Sequence, residues 1–232
     1  MGEGGVRLYS AGQPGGARPD KLLWQAAISL NDTARLKVVR EMYAIRFGEP
    51  APERRSIDQL RGIEGQRVRK AYELLAQKNG VTWKRRHYDP SNWDAADIPN
   101  RCLSSATACL HGLSEAAVLA AGYAPAIGFL HRGRSRSFVY DIADLLKIET
   151  VVPAAFRIAG QAQLGTLQMP PERAVRLACR DVFRASGLLR KIIPLIEDVL
   201  RAGGLPMSVD APEGQAPVLT EENIGDAGHR GN

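Results

Sequence analysis

Hydrophobic residues recur at intervals of three and four from the twentieth residue onward, which is typical of amphipathic helices in a helical domain. Asp20 is predicted to cap the first helix and Asp32 to cap the second, which ends before Gly48. Ser56 is predicted to begin a third helix that runs to about Lys78.

The helical pattern is interrupted over residues 79–101, where pairs containing glycine or proline predict a loop. Beyond this loop the helical period returns in four stretches. They cover residues 103–121, 142–160, 170–186 and 187–202. A short extended piece before His131 lies between the first two stretches. The chain is therefore predicted to be mainly α and multi-helical.

The two ends of the chain lack this pattern. Residues 1–19 are rich in glycine and proline and hold one strand-like stretch near Val6, which we interpret as a loop or the edge of a larger unit. Residues 204–232 are dominated by proline, glycine and acidic residues, which predicts a flexible tail. The helical domain is predicted to span residues 20–203.

Composition narrows the class of protein. The chain has 232 residues, enough for a sizeable core, and 31 lysines and arginines against 25 acidic residues give a net charge of +6. This excess favours a polyanionic partner without proving one. The 3 cysteines lack metal-binding spacing, which argues against a zinc finger or a disulfide framework and suits a reducing cytoplasm.

Targeting and membrane signals are also weak. The glycine-rich start has no apolar segment typical of a signal peptide. The apolar stretch 103–130 is interrupted by His111 and Glu115 and divided by glycine and proline, so it is not predicted to span a membrane. We therefore predict a cytoplasmic protein.

Glu64 is the most informative acidic residue. It continues a row of positions four residues apart, Leu60, Glu64, Val68 and Tyr72, and so falls on the buried stripe of the third helix. A carboxylate there is costly unless it is paired, protonated or bound to a metal. Pairing with an arginine of a neighbouring helix and a functional role remain equally open at this point.

A second acidic group follows a basic loop. In the segment GFLHRGRSRSFVYDIADL, three arginines separate His131 from Asp141 and Asp144, which lie one helical turn apart. Asp141 as a helix cap, with Asp144 in the first turn, is one interpretation. Alternatively, an imidazole and several carboxylates among arginines suit Mg²⁺ or Mn²⁺ at a phosphodiester.

An aromatic and basic stretch, VTWKRRHYDPSNW, occupies residues 81–93. Its aromatic faces can stack on unpaired bases while the neighbouring cations bind phosphates. Alternatively, the aromatic rings anchor the loop to the body of the protein and the charges remain solvated.

The sequence resembles the CRISPR-associated integrase of the spacer-acquisition module, the first-numbered Cas protein, in its type I-E form. The resemblance rests on motifs from Gly4 to the tail. They are SAGQPGGARPDKLL, RFGEPAPERRS, QLRGIEG, GVTWKRRHYDPSNW, GYAPAIGFLHRG, SFVYDIADLLK, VRLACRDVFR and GDAGHR. It implies a metal-dependent enzyme that joins the 3′-hydroxyl of a captured DNA fragment to a repeat and also cleaves branched DNA.

Carried over by position, the resemblance implies a catalytic site of Glu64, His131, Asp141 and Asp144. Glu64, His131 and Asp144 would be the ligands of Mg²⁺ or Mn²⁺, with Asp141 an acidic neighbour. The positions implied to lie near bound DNA are Arg7, Arg61, Arg86, Tyr88, Trp93, Arg134 and Tyr140.

The resemblance also implies partners, and this sequence departs from the family pattern in two ways. Family members form homodimers through an N-terminal β-domain, and the small second-numbered Cas protein bridges the dimers. Here residues 1–19 are expected to be only a remnant of that domain with its linker. His111 and Arg134 stand where relatives carry tyrosine and lysine. The rival interpretations are a non-catalytic DNA-binding helical scaffold and a helical protein–protein adaptor.

Overall fold

The computed structural model describes residues 19–87 and 96–207. Within these residues the chain forms helices and no strand, which confirms the mainly α prediction. The helices are α1 (Pro19–Leu30), α2 (Asp32–Phe47), α3 (Ile57–Lys78), α4 (Ile98–Ala120), α5 (Ser137–Leu146), α6 (Val151–Gln163), α7 (Pro171–Ala185) and α8 (Leu188–Arg201). Residues 1–18 of the predicted β-remnant and residues 208–232 of the predicted tail fall outside the described residues, and the domain boundaries stay predictions.

The starts of the first two helices correct the sequence prediction. Asp20 is not the cap of α1, because the helix already begins at Pro19 and Asp20 lies in its first turn. Asn31, not Asp32, caps α2, since its side chain accepts a hydrogen bond from the backbone N–H of Ala34. Either polar residue can serve as a cap, and the backbone geometry at residue 31 decides between them.

The start of α3 agrees with the prediction. The Ser56 side chain accepts from the Gln59 backbone N–H, and the Gln59 side chain accepts from the Ser56 backbone N–H. This capping box fixes the helix that carries Glu64.

Two other boundaries differ from prediction because of proline. Pro99 lies in the first turn of α4, where its missing N–H costs nothing, so the helix begins at Ile98 and not near residue 103. The predicted helix over 142–160 is two helices, α5 and α6. A continuous helix would set the Pro153 ring against the carbonyl of Glu149, and the chain turns at residues 147–150 instead.

Helix α4 is central and packs against α5, α6, α7 and α8. One hydrophobic cluster joins α1, α2, α5 and α8 with Leu60 of α3 and the end of α4, and a second joins α4, α6 and α7 with Tyr72 and Ala76 of α3. No helix of the described part combines the length and hydrophobicity needed to cross a membrane. Helix α2 contacts both α3 and α5, the helices that carry the acidic residues.

Helix α1 buries polar side chains on its inner face. Gln25 and Ser29 are buried beside Trp24, whereas Leu22 and Leu23 are exposed. Buried amide and hydroxyl groups need hydrogen-bond partners, and the segment before His131 supplies them.

Candidate active site

The segment that leads to His131 is held from one side by α1 and α2. The Gln25 side chain donates to backbone carbonyls of residues 124 and 127, at 3.0 and 2.8 Å. Ser29 Oγ donates to the Gly128 carbonyl at 3.0 Å, and Arg35 Nε donates to the Phe129 carbonyl at 2.8 Å. These bonds satisfy the backbone of a buried non-helical segment.

Gly128 allows this segment to turn tightly. A Cβ atom at residue 128 would lie 2.2 Å from the carbonyl oxygen of His131 and 2.7 Å from Cβ of Ser137. Only glycine lets the backbone approach this closely. The glycine thus sets where His131 emerges relative to α5.

Asp141 organises the segment from the other side, and the capping interpretation is wrong. Because α5 begins at Ser137, Asp141 lies inside the helix, with 1% of its surface exposed. Its carboxylate accepts the backbone N–H groups of Phe129, Leu130 and His131 at 2.6, 3.2 and 2.9 Å. It anchors the segment and is not a cap at a helix end.

Asp141 also orients the His131 ring. Oδ1 of Asp141 lies 2.8 Å from Nδ1 of His131. Because a carboxylate is the acceptor, this contact favours the tautomer with the proton on Nδ1 and leaves the lone pair of Nε2 available. A histidine held this way is suited to bind a metal or to exchange a proton.

Glu64 and Asp144 converge on one cation. Arg46, near the end of α2, forms ion pairs with Glu64 of α3 and with Asp144 of α5, where its Nη1 lies 3.6 Å from Oδ2. The arginine pairing left open for Glu64 is confirmed. The two carboxylates, on different helices, therefore face the same small space.

The charge of Asp144 is stabilised although it is poorly solvated. Burial alone would raise the pKa of Asp144, but Lys147 and then Arg46 outweigh it, so the pKa lies below its usual value. Lys147 Nζ lies 2.7 Å from Oδ1 of Asp144. Burial lowers the pKa of the Arg46 guanidinium, while Asp144 opposes that shift. The carboxylate is ionised at neutral pH.

The aromatic ring of Tyr140 lies near the rings of two histidines. The Tyr140 ring centroid is 4.9 Å from that of His111 and 6.0 Å from that of His131. Burial lowers the pKa of His111 to about 4, so this imidazole is neutral at pH 7. Tyr140, implied to lie near DNA, is thus placed against both histidines.

The basic residues predicted to bind DNA lie at different places. Arg61 on α3 and Arg134 in the loop before α5 are exposed. Arg86 is also exposed, and its guanidinium donates to Oδ1 of Asn100 at 3.0 Å and to Oγ of Ser104 at 2.9 Å. Ser104 is two turns from His111 along α4, about 10 Å along the helix axis. Arg7, Tyr88 and Trp93 lie outside the described residues.

Trp83 agrees with the second interpretation of the aromatic stretch, in which the rings anchor the loop to the body of the protein. Its ring packs edge-on against Phe156 and Tyr72, with centroids 5.2 and 6.0 Å apart. It holds the start of the basic loop against the helical body and is not an exposed stacking face.

Sequence reasoning missed Arg46, Lys147 and Gly128. Arg46 continues the buried row of Val39 and Met42 on α2, so the signal that singled out Glu64 was also present there. Lys147 lies one turn after Asp144, the spacing of a helical ion pair. Nothing in the sequence around Gly128 indicates that a carbonyl group approaches it.

The donor chemistry of this site fits a divalent cation. Glu64 and Asp144, from separate helices, both pair with Arg46, and Asp144 also pairs with Lys147. Oxygen ligands with one imidazole nitrogen suit Mg²⁺ or Mn²⁺. Within residues 19–87 and 96–207, however, no three metal-binding side chains are already gathered as a ligand cluster. Arg46 stands between the carboxylates in this arrangement.

The fold and this site define a class: a mainly α protein with an acidic and histidine-containing site beside exposed arginines. The family model described as CRISPR associated protein Cas1 matches residues 22–177. The chain belongs to this family.

Curated relatives are similar in sequence to this chain over nearly its whole length. A CRISPR-associated endonuclease Cas1 of Geobacter sulfurreducens is 63% identical over 100% of this chain and 74% of the relative. The Cas1 1 protein of Rhodospirillum rubrum is 66% identical, with the same coverage of both. The Cas1 of Escherichia coli is 59% identical over 99% of this chain and 74% of its own length.

A solved structure supports the fold. A crystal structure of a TtCas1–DNA complex aligns with a TM-score of 0.70 and 39% identity, covering 78% of this chain and 65% of that chain. The chain thus spans about two thirds of that structure and about three quarters of the curated relatives.

Proposed function

We propose that this chain is the helical catalytic part of a metal-dependent DNA integrase and endonuclease that inserts captured DNA fragments at the leader-proximal repeat by transesterification and also acts on branched DNA. The observation that carries the proposal is the convergence of Glu64 and Asp144 on one buried positive charge. DNA binding is supported by the exposed arginines and by the name of the TtCas1–DNA complex, to which the fold is similar.

Each residue of the site has a distinct role in the proposed chemistry. Glu64, Asp144 and His131 would hold Mg²⁺ or Mn²⁺, which when bound supplies electrostatic activation of a phosphodiester and an attacking hydroxyl. Asp141 orients His131 and holds the preceding backbone, so the imidazole keeps Nε2 available. The exposed Arg61 and Arg134 would position the strand through its phosphates.

The wider assembly belongs to the same proposal. We infer a type I-E protein that works in the cytoplasm, as a homodimer joined by the small second-numbered Cas protein. These points rest on the motifs that resemble that subtype and on the 59% identity to the Escherichia coli relative. The remaining positions implied near DNA, including Arg7, Tyr88 and Trp93, stay proposals.

A non-catalytic DNA-binding scaffold is the second candidate. It is favoured by one observation: Arg46 already balances the charge of Glu64, so a metal is not required to explain this partly buried acid. In that case the basic surface would bind DNA and the acidic residues would stabilise the fold.

Strand chemistry on a labelled branched DNA separates the two candidates. With Mn²⁺ the wild-type chain should transfer or cleave strands and with EDTA it should not, and Glu64→Gln should lower the rate about 100-fold or more. Glu172→Gln is the matched control, because Glu172 pairs with Arg101 and is not one of the residues proposed to hold the metal. A Glu64→Gln variant as active as wild type would contradict the enzyme proposal.

A further inference from the structure

We infer that Arg46 is a resident counter-ion that occupies the cation position between Glu64 and Asp144 and is displaced when a divalent cation binds there. This inference rests on the proposed metal site and adds a competitor for it within the chain itself. Metal affinity would then be set by the exchange of one cation for another and not by the ligands alone.

The position of Arg46 supports this role. Its side chain is 3% exposed, and its guanidinium contacts carboxylates from two different helices. Its Nε is buried without a hydrogen-bond partner within the described residues. The guanidinium is therefore aimed at the carboxylates without full satisfaction of its own donors, which is poor geometry for a purely structural pair.

Electrostatics explains why Arg46 and a divalent cation would compete for the two carboxylates. Carboxylate lone pairs that accept the guanidinium are not free to coordinate an ion, and arginine stays charged at any working pH, so proton loss cannot relieve the repulsion. A divalent cation at the same two carboxylates would face this positive charge at short range in a poorly solvated pocket.

Besides Glu64 and Asp144, the Arg46 guanidinium lies over the Phe47 ring, with its Cζ 5.6 Å from the ring centroid, and an aromatic ring is a weaker partner for a cation than a carboxylate. The rest of the pocket is mainly apolar. Its lining includes Val39, Met42, Leu60, Leu130 and Leu145. The other carboxylate there, Asp141, already accepts backbone N–H groups and His131. Displacement of Arg46 therefore costs free energy, and this cost weakens metal binding.

Direct metal binding tests the inference. Mn²⁺ is titrated into the chain at pH 8, with free Mn²⁺ followed by electron paramagnetic resonance and the melting temperature measured with and without Mn²⁺. Arg46→Met, which keeps much of the volume and removes the charge, should bind Mn²⁺ about tenfold more tightly than wild type. It should also gain a larger increase in melting temperature from Mn²⁺.

Two further variants make the measurement specific. Arg101→Met is the matched control, since Arg101 pairs with Glu172 on α7 and its loss should leave Mn²⁺ affinity unchanged. The double variant Glu64→Gln with Arg46→Met should lose the gain. If Arg46→Met does not fold, which circular dichroism would show, Arg46→Gln removes the charge and keeps hydrogen bonding to Glu64.

The outcomes distinguish this inference from the proposed function. If a folded, charge-free variant binds Mn²⁺ equally or less tightly than wild type while Glu64→Gln binds it less tightly still, the inference is overturned and the metal site stands. If wild type, Arg46→Met and the double variant all show the same Mn²⁺ binding as Glu64→Gln alone, the metal site itself is wrong.

Discussion

Asp141 and His131 are joined twice, because the Asp141 carboxylate accepts both the backbone N–H of His131 at 2.9 Å and a 2.8 Å contact from its ring Nδ1. A single buried side chain thus fixes the position of the residue and the orientation of its imidazole. The same carboxylate receives the N–H groups of Phe129 and Leu130, so the whole approach to His131 depends on its charge.

Asp141→Asn should destabilise the protein by about 2–4 kcal/mol, because an amide NH₂ would meet buried donors and the charge-assisted bonds would be lost. Urea unfolding measures the change. Asp198→Asn, at an exposed ion pair with Arg201, should change the free energy of unfolding by less than about 0.5 kcal/mol. Equal effects of the two substitutions would show that Asp141 does not anchor the segment.

Gly128→Ala should cost about 2–3 kcal/mol, because the added Cβ would lie 2.2 Å from the His131 carbonyl oxygen and the backbone must move. Gly112→Ala is the matched control. Gly112 lies inside α4 with open space around its Cβ position, so alanine there should stabilise the helix by about 0.5–1 kcal/mol. Thermal or urea unfolding should therefore give opposite signs for the two glycines.

Asn100→Ala should loosen the basic loop that precedes α4. Asn100 is 2% exposed, its Oδ1 accepts from Arg86 and from the His87 backbone, and its Nδ2 donates to the Arg85 carbonyl. Trypsin should cleave the variant after Lys84 or Arg85 faster than wild type. The rate should rise about tenfold if the free energy of opening the loop falls by about 1.4 kcal/mol.

Ser104→Ala is the control for this experiment. It removes one hydrogen bond to Arg86 and leaves Asn100 in place, so its cleavage rate should stay close to wild type. Unchanged trypsin cleavage of Asn100→Ala would show that other contacts hold the loop.

His111 should make stability depend on pH. Burial lowers its pKa from 6.5 to about 4, so between these values the unfolded chain binds more protons than the folded one. The free energy of unfolding should therefore fall as pH falls from about 6.5 to about 4. Asp144, whose pKa lies below its usual range, contributes a loss only at lower pH.

His111→Tyr, which keeps a ring beside Tyr140, should flatten this pH dependence in urea unfolding series between pH 7 and 5. His87→Tyr, at an exposed loop position, is the control and should retain the wild-type slope. If His111→Tyr and wild type lose stability in parallel, burial of His111 is not the cause.

Most of the helices could be predicted from the sequence, because the apolar residues recur with the 3.6-residue period of an α-helix. The errors lie at boundaries where local signals compete, as at Asn31 and Asp32, or where Pro153 was not weighed against a long helical period. Membership of the family could also be predicted, since the motifs extend along the chain.

The sequence by itself determined that Glu64 lies on the buried stripe of its helix, since that depends only on position within the helix, and the same signal was present at Arg46 although it was missed. Only the tertiary structure decided that these two side chains and Asp144 meet, because the meeting depends on how α2, α3 and α5 pack. It also decided that Asp141 binds backbone N–H groups and does not cap a helix. Local patterns fix which residues are buried, whereas the partner of a buried charge is set by contacts between segments distant in sequence.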